Sequence, residues 1–481
     1  MKKFLFILPL AAMLFAACEK ENGAASLTLE TESLEFSADG GSQNVMLHAN
    51  TKWNISTNGA EWLEVTPTSG SGDTQLTVSV SKYTDAVIRT AEVTVEGSGV
   101  KTVLRVLQHR PEAPDQPQER SYKVRAYEQE FSVPAPQGFT YKATVEGEGV
   151  EIAATDDEAI VLHFSANTTT ESRESTLKLT TADGAALETV HLTQSWRSIE
   201  PGELLISEVF FAGMKIEDSE SSDSSDGDQY FRLTNNTDET LYADGVLIAI
   251  STTDSQTSSV GAYWAYPDLP DEIGVSTLYQ IPGEGTDVPV KAGESLILAI
   301  NAQNFKAENG SGCDLSKADF EFYDDTDNED FPDIDNPDVK NLVNWFKSSW
   351  TYTSLHDRGY ESYAIAITPN SMTSDLFMKE HPWNGQRVMD FNGYHFDEEI
   401  TDAYLIPCDW VLDAVNCAVA EDLGTLAFNA KMDAGYTNVS TVDRDPERFG
   451  KAVSRKKDAN GKLVDTNNST NDFEVAAPSM K

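Results

Sequence analysis

The chain has 481 residues and a formal net charge of −44, from 35 Lys and Arg against 79 Asp and Glu. A surface this acidic repels phosphate groups, so it disfavours nucleic-acid binding and attachment to anionic membranes through charge. The length predicts about three domains, and a hydrophobic content of 40% is ample for packed cores.

The first residues have the pattern of a secretory signal: two lysines are followed by an apolar run from Phe4 to Met13. That run is too short to cross a bilayer of roughly 30 Å as a helix. The stretch Leu14–Cys18 resembles the lipobox of bacterial lipoproteins. The resemblance implies that residues 1–17 are removed and that Cys18 carries the lipid that anchors the protein. The alternative is an ordinary signal peptide with an incidental cysteine.

Residues 18–25 are predicted to form a polar tether. Glu19 and Glu21 resemble the surface-export signal of Bacteroidota lipoproteins, although Lys20 departs from it. We therefore expect a lipid-anchored protein on the outer face of the outer membrane. An exported protein can form disulfides, but the remaining Cys313, Cys408 and Cys417 allow at most one bridge within the chain. Buried free thiols are the alternative.

Residues 26–109 alternate apolar and polar side chains, as in Val45-x-Leu47 and Val93-x-Val95. Turns rich in Gly, Ser and Asp separate these runs, which predicts an immunoglobulin-like β-sandwich. The segment resembles the BACON domain, a small sandwich of Bacteroidota surface proteins whose name suggests carbohydrate association. The residues that carry the resemblance are Trp53, Trp62-Leu63, Pro67, Ser69-Gly70, Gly72, Arg89 and Gln108.

Two tryptophans of this module have aromatic faces that could stack on a sugar. Trp53 alternates with Ile55 and is expected in the core, whereas Trp62 precedes Leu63 and is expected to be partly exposed. Trp62 is therefore the candidate ligand-binding residue, and packing in the core is the alternative.

Residues 110–120 contain three prolines and are predicted to be a stiff linker. Residues 121–197 read as a diverged repeat of the first sandwich, because Arg173 and Gln194 occupy the places of Arg89 and Gln108. Tyr141 stands where the repeat would have a tryptophan. We expect the two modules to act as a stalk.

Residues 198–481 are predicted to be a larger, mainly-β sandwich domain with insertions and a few short helices. Buried strands are expected at 203–209, 295–300 and 362–367, and a short helix over 338–350 from apolar residues at helical spacing. The opening, about 203–251, distantly resembles the lamin-tail type of sandwich. The region from Glu203 onward also resembles Bacteroidota lipoproteins known only by a domain of unknown function. Three motifs carry that second resemblance: residues 206–209, 410–415 and 465–473.

A run of carboxylates occupies one loop of this region: Asp324, Asp325, Asp327, Glu329, Asp330, Asp333, Asp335 and Asp338. Calcium binds such loops, but Asp330 stands where an EF-hand has glycine, so a solvated loop is expected. The fragments His356-Asp357 and His395-Phe396-Asp397-Glu398 lack the spacing of a zinc site. No cofactor, metal or catalytic residue is predicted. Trp345, Trp350, Tyr352, Tyr360 and Trp383 are expected to be mainly core, with one or two rings exposed.

The sequence thus predicts an all-β protein of tandem immunoglobulin-like sandwiches followed by a larger domain. Its predicted function is non-enzymatic binding of glycans or glycoproteins at the cell surface. The alternatives are an accessory subunit that docks on an outer-membrane transporter and an uncharacterised hydrolase.

Overall fold

The computed structural model describes residues 24–85, 87–114, 116–216, 227–256, 264–306, 312–326, 332–369 and 372–481. Cys18 and the signal segment lie outside the described residues. Within them, no helix is both long and apolar enough to span a bilayer. The secondary structure is almost entirely β, as predicted.

The first sandwich packs a four-stranded sheet, ordered β1-β3-β7-β5, on a five-stranded sheet, ordered β2-β9-β8-β4-β6. Its strands are β1 Leu27–Leu29, β2 Ser33–Phe36, β3 Gly41–Ala49, β4 Lys52–Ser56, β5 Leu63–Thr66, β6 Ser69–Ser71, β7 Thr74–Val80, β8 Arg89–Gly97 and β9 Val100–Gln108. The alternating apolar residues of the strands face one another in its core, including Leu47, Trp53 and Val106. The period-two pattern predicts these inward positions because successive strand residues point to opposite faces.

The second sandwich has sheets ordered β10-β16-β15-β12 and β11-β14-β13. Its strands are β10 Gln118–Val124, β11 Gln129–Pro134, β12 Tyr141–Gly147, β13 Val150–Thr155, β14 Ala159–Phe164, β15 Arg173–Thr181 and β16 Ala186–Gln194. This order repeats the first sandwich without its β1 and β6. The first three residues of strand β10, 118–120, lie within the predicted linker, because they pair in parallel with 188–190.

The Arg and Gln that recur in the two modules occupy equivalent positions, and the two glutamines make equivalent contacts. Arg89 pairs with Gln108 across one terminal hairpin, and Arg173 pairs with Gln194 across the other. The Gln108 amide donates to the carbonyls of Ser37, Ala38 and Ser81. The Gln194 amide donates to three carbonyls in the same way, those of residues 125, 126 and 165. Each glutamine therefore joins the last strand of its module to two loops.

The C-terminal domain is a sandwich of two sheets. The first has seven strands in the order β25-β24-β23-β18-β17-β32-β33. The second has six, with β26-β21-β20-β27-β31 in order and β30 attached to β21. The strands of the first sheet are β17 Leu204–Phe210, β18 Tyr230–Asn235, β23 Ser295–Ala299, β24 Phe320–Glu321, β25 Lys340–Asn341, β32 Ala452–Arg455 and β33 Phe473–Ala476. Those of the second are β20 Val246–Ser251, β21 Glu272–Gln280, β26 Val343–Lys347, β27 Tyr363–Ile367 and β31 Val411–Val415, with β30 Tyr404–Pro407 paired to β21.

Smaller elements complete this domain: the strand pair β19 Leu241–Tyr242 and β22 Pro289–Val290, the ribbon β28 Gln386–Phe391 and β29 Tyr394–Glu399, and the helices α1 Ser374–Glu380 and α2 Ser469–Asp472. The three predicted buried strands are confirmed as β17, β23 and β27. Strand β17 is buried at all seven positions because its two faces contact two different apolar clusters.

The helix predicted over 338–350 is wrong. The segment forms the short strands β25 and β26, and β26 pairs antiparallel with β21. Val343, one of the residues that suggested an apolar helix face, is 45% exposed. Pairing with the distant strand β21 satisfies the backbone hydrogen-bonding groups of this segment. The spacing of apolar residues within the segment cannot reveal that pairing.

Candidate functional site

Trp62 is half-buried and packs against the core of the first sandwich. The guanidinium carbon of Arg89 lies 4.3 Å from the centroid of the Trp62 ring and 4.1 Å from that of Tyr83. Arg89 also donates from Nε to Gln108 Oε1 at 2.9 Å, so hydrogen bonding and two cation–π contacts hold it in place. A sugar at this face of Trp62 would compete with Arg89. The role of Trp62 in ligand binding stays a prediction.

Trp53 is buried, as expected, and its indole N–H donates to the carbonyl of Gly72 at 3.2 Å. Tyr141 occupies the matching place in the second sandwich, because β12 pairs with β15 in the register in which β4 pairs with β8. The Tyr141 hydroxyl donates to the carbonyl of Asp156 at 2.6 Å. Both rings therefore serve the framework of their modules.

The acidic loop is not uniformly solvated, which corrects the expectation for Asp324. Its buried carboxylate accepts from the Tyr279 hydroxyl at 2.6 and 2.7 Å and lies 2.8 Å from Lys347 Nζ. Asp333 accepts from the backbone N–H of Asp324 at 2.9 Å. Asp327, Glu329 and Asp330 lie outside the described residues. The carboxylate of Asp324 is occupied by side chains of the domain itself.

The two histidine fragments make contacts within the fold. Burial, together with the positive charge of the neighbouring Arg358, lowers the pKa of His356 to about 4. His395 Nδ1 lies 2.7 Å from Asp390, and its Nε2 lies 3.3 Å from Asp397. Among the residues that the structure describes, no three His, Cys, Asp or Glu side chains are grouped so that they could hold a metal ion.

The five aromatic residues of this region follow the expectation of a mainly buried set. Trp345, Tyr360 and Trp383 are buried, and Tyr352 is half-buried. Trp350 is 73% exposed. The three cysteines that the structure describes are free thiols, with Cys313 and Cys417 buried and Cys408 partly exposed.

A cleft of about 780 Å³ lies between the second sandwich and the C-terminal domain. Clefts between domains are common positions for ligand sites. One wall is the turn after β10, with Tyr127 and Glu128. The opposite wall is the loop 283–286 together with Gln280 and the segment 367–369.

Ion pairs and an aromatic contact hold the two walls of the cleft together. Arg125 lies between the domains and bonds Glu203 at 2.7 Å and Glu239 at 3.2 Å. The Tyr127 ring meets the Tyr242 ring edge-on, with centroids 5.2 Å apart. The domains therefore meet through specific contacts, and Tyr127 is held at the edge of the cleft.

The loop 283–286 owes its shape to Asp244. This carboxylate accepts from the backbone N–H groups of Gly285, Asp287 and Val288 at 2.9 to 3.2 Å. A side chain at Gly283 would collide with Asp244, since a Cβ there would lie 1.9 Å from its Oδ1. Glu284 lies in this loop and is exposed at the rim of the cleft.

The described lining of the cleft combines acidic, amide and aromatic side chains. The described residues that line the cleft include the carboxylates of Glu128 and Glu284, the amide of Gln280 and one aromatic ring, but no lysine or arginine. Carboxylates and amides bond hydroxyl groups, and an aromatic ring suits an apolar sugar face. Sequence reasoning missed Tyr127 because the cleft combines segments more than a hundred residues apart. No local pattern marks such a site.

Two family models match different parts of the chain. Residues 291–480 match "Protein of unknown function (DUF4876)", and residues 51–108 match BACON, described as "Putative binding domain, N-terminal". The first match lies in the C-terminal domain and the second in the first sandwich. The resemblances to BACON and to a domain of unknown function are confirmed over these ranges, and the lamin-tail resemblance of residues 203–251 stays a prediction. Of the three C-terminal motifs, residues 410–415 and 465–473 fall within the DUF4876 match, and 206–209 precede it.

Parts of the chain are similar to known proteins. The chain is 29% identical over 106 residues to the xyloglucan-specific endo-β-1,4-glucanase BoGH5A of Bacteroides ovatus, which is 21% of either protein. The chain thus spans about a fifth of that relative's length. A crystal structure of a DUF4876 family protein from Bacteroides thetaiotaomicron matches at 20% identity and a TM-score of 0.44, over 76% of this chain and 96% of that one.

A Bacteroides ovatus GH5 xyloglucanase in complex with a heptasaccharide matches at 23% identity and a TM-score of 0.18, over 22% of this chain and 27% of that one.

Proposed function

We propose that the protein is a non-enzymatic, lipid-anchored protein of the outer-membrane surface that binds neutral glycans or glycoproteins. The two N-terminal sandwiches form the stalk, and the cleft beside Tyr127 is the binding site. The observation that carries the proposal is a cleft that combines an aromatic ring with carboxylate and amide groups and has no lysine or arginine among its described lining residues.

Two further facts support this proposal. The matched BACON model is described as "Putative binding domain, N-terminal", and the curated relative that shares 106 residues is named as specific for xyloglucan. The high negative charge of the chain disfavours sulfated or phosphorylated glycans as ligands, since like charges repel. Neutral chains are therefore the expected class.

The test is a glycan and mucin array probed with the mature chain carrying Cys18→Ser, with and without calcium. For each glycan retained, the dissociation constant is then measured for Tyr127→Ala, Tyr127→Phe and Glu284→Gln. Tyr127→Ala should weaken binding about tenfold, or roughly 1.4 kcal/mol, and Tyr127→Phe should retain it. Trp350→Ala, at an exposed ring outside the cleft, is the matched control.

Trp62→Ala separates the cleft from the BACON module. Loss of binding in Trp62→Ala with unchanged affinity in Tyr127→Ala would place the site in the first sandwich and contradict the assignment to the cleft. No binding on the array would contradict the function itself and leave docking on an outer-membrane transporter to be tested by cross-linking in the native membrane.

A further inference from the structure

The ribbon of β28 and β29 is a two-stranded sheet that stands apart from both large sheets of the C-terminal domain. Its strands are joined by Asn392-Gly393, with φ values of 52° and 82°. Left-handed conformations at both positions are typical of a tight two-residue hairpin turn. All six residues of β29 are exposed to solvent.

One face of the ribbon is apolar. The register places Phe391 opposite Tyr394 and Met389 opposite Phe396. Tyr394 is 69% exposed and Phe396 is 43% exposed. At the base of this face, Arg387 bonds Glu398 at 3.1 Å and the Tyr266 hydroxyl at 2.9 Å, which fixes the ribbon on the domain.

The opposite face is acidic. Asp390, Asp397 and Glu399 alternate with the apolar residues, and His395 lies between the first two. Two copies of this ribbon placed edge to edge would bring carboxylates against carboxylates. Pairing with a second copy is therefore disfavoured, as in natural edge strands protected by charge.

The outer edge of β29 has free backbone groups. Val388 exchanges hydrogen bonds of 2.7 and 2.9 Å with Ala265, so its N–H and C=O point away from β29. In an antiparallel pair the residue opposite then points its own groups outward as well. That residue is Asp397, and His395 and Glu399 share its orientation. In the described part of the chain no strand pairs with this edge.

We propose that the outer edge of β29 binds an extended segment of a partner protein whose side chains alternate between apolar and basic. The backbone of that segment continues the ribbon as a third strand. Its apolar residues pack beside Tyr394 and Phe396, and its basic residues lie beside Asp397 and Glu399. Strand addition of this kind takes affinity from backbone hydrogen bonds and specificity from alternate side chains.

The probe is a nine-residue peptide of alternating valine and lysine, with binding to the full chain followed by fluorescence anisotropy. Saturable binding is expected, with slower hydrogen exchange at the amides of His395, Asp397 and Glu399. The same peptide methylated on alternate backbone nitrogens keeps its charge and apolar area but loses donors. It should bind at least tenfold more weakly. Equal binding of both peptides would overturn the proposal.

Variants distinguish binding of the peptide at this edge from nonspecific attraction of a basic peptide to an acidic protein. Asp397→Lys with Glu399→Lys, and Tyr394→Ser with Phe396→Ser, should each weaken binding at least tenfold. The control is Glu130→Lys with Glu151→Lys, which makes the same charge change on β11 and β13, the edge strands of a sheet in the second sandwich. A comparable loss in the control, or no binding to the unaltered chain, would also overturn the proposal.

Discussion

Arg455 on β32 and Asp413 on β31 form a buried ion pair that joins the two sheets of the C-terminal domain. The guanidinium Nη2 lies 2.8 and 2.6 Å from the two carboxylate oxygens, and the side chains are 1% and 3% exposed. Arg455 Nε also donates to the carbonyl of Ile206, whose N–H donates to Asp413. Asp465 and Asp472 lie 3.5 and 3.6 Å from the same guanidinium.

The first prediction concerns this pair. Arg455→Met or Asp413→Asn should lower the free energy of unfolding of the C-terminal domain by about 3–5 kcal/mol, because each leaves a buried polar partner uncompensated. Urea denaturation measures the effect. Lys462→Ala is the control, since Lys462 pairs with Asp238 at the surface and should cost less than about 1 kcal/mol. Equal effects would contradict the role assigned to burial.

This network explains why three separate motifs were recognisable in the sequence. Residues 206–209, 410–415 and 465–473 contribute Ile206, Asp413 and Asp472 to one cluster. The sequence revealed the motifs but not their meeting point, because Arg455 lies between them without a pattern of its own. The alternation of apolar and polar residues likewise predicted the sandwich strands. The helix predicted over 338–350 was wrong because Val343 and its neighbours pair with a distant strand.

The second prediction concerns Arg89, whose guanidinium group contacts the rings of Trp62 and Tyr83. Arg89→Lys should lower the stability of the first sandwich by about 1 kcal/mol, since lysine lacks the planar group that contacts both Trp62 and Tyr83 and bonds Gln108. Arg105→Lys on β9 is the matched control, because Arg105 is exposed and 3.8 Å from Glu92. Thermal unfolding followed by tryptophan fluorescence compares the two. A larger effect at Arg105 would contradict the prediction.

The third prediction is a pH dependence at His356. Its pKa is about 4 in the folded domain, against an ordinary value of 6.5, because burial disfavours the charged ring. The unfolded chain therefore binds more protons between these values, and His356 makes stability fall as the pH drops from about 6.5 towards 4. His356→Asn should flatten the pH profile of the unfolding free energy in that window.

The matched control is His395→Asn. His395 is exposed, and its pKa is raised by the hydrogen bond to Asp390 and the charge of Asp397. Its contribution is present at low pH and is lost as the pH rises, which is the opposite sign. A profile that steepens in His356→Asn would rule out the neutral buried ring.

The fourth prediction concerns the thiols. Burial raises the pKa of Cys313 and Cys417, so iodoacetamide at pH 8 should leave both unmodified while it labels the partly exposed Cys408 slowly. In denaturant without reductant all three should react. Mass spectrometry of the peptides measures this, and two cysteines that react only after reduction would demonstrate a disulfide.

The fifth prediction concerns the anchor. Mass spectrometry of protein extracted from membranes should find the peptide that begins at Cys18 with more than one acyl chain, because a single chain gives only marginal binding. Cys18→Ser should release the protein from the membrane fraction. An unmodified Cys18 thiol in membrane-extracted protein would contradict lipid attachment.

The order of strands in the seven-stranded sheet has a consequence for the proposed export of the protein. Strand β17, near residue 205, pairs with β32, near 453, and β32 pairs with β33 at 473–476. The first strand of this domain pairs with a segment some 250 residues later in the chain. Such a domain cannot fold progressively while it is threaded through a secretion channel. We therefore expect this domain to stay open, and to depend on protection from aggregation and proteases, until nearly all of it has been delivered.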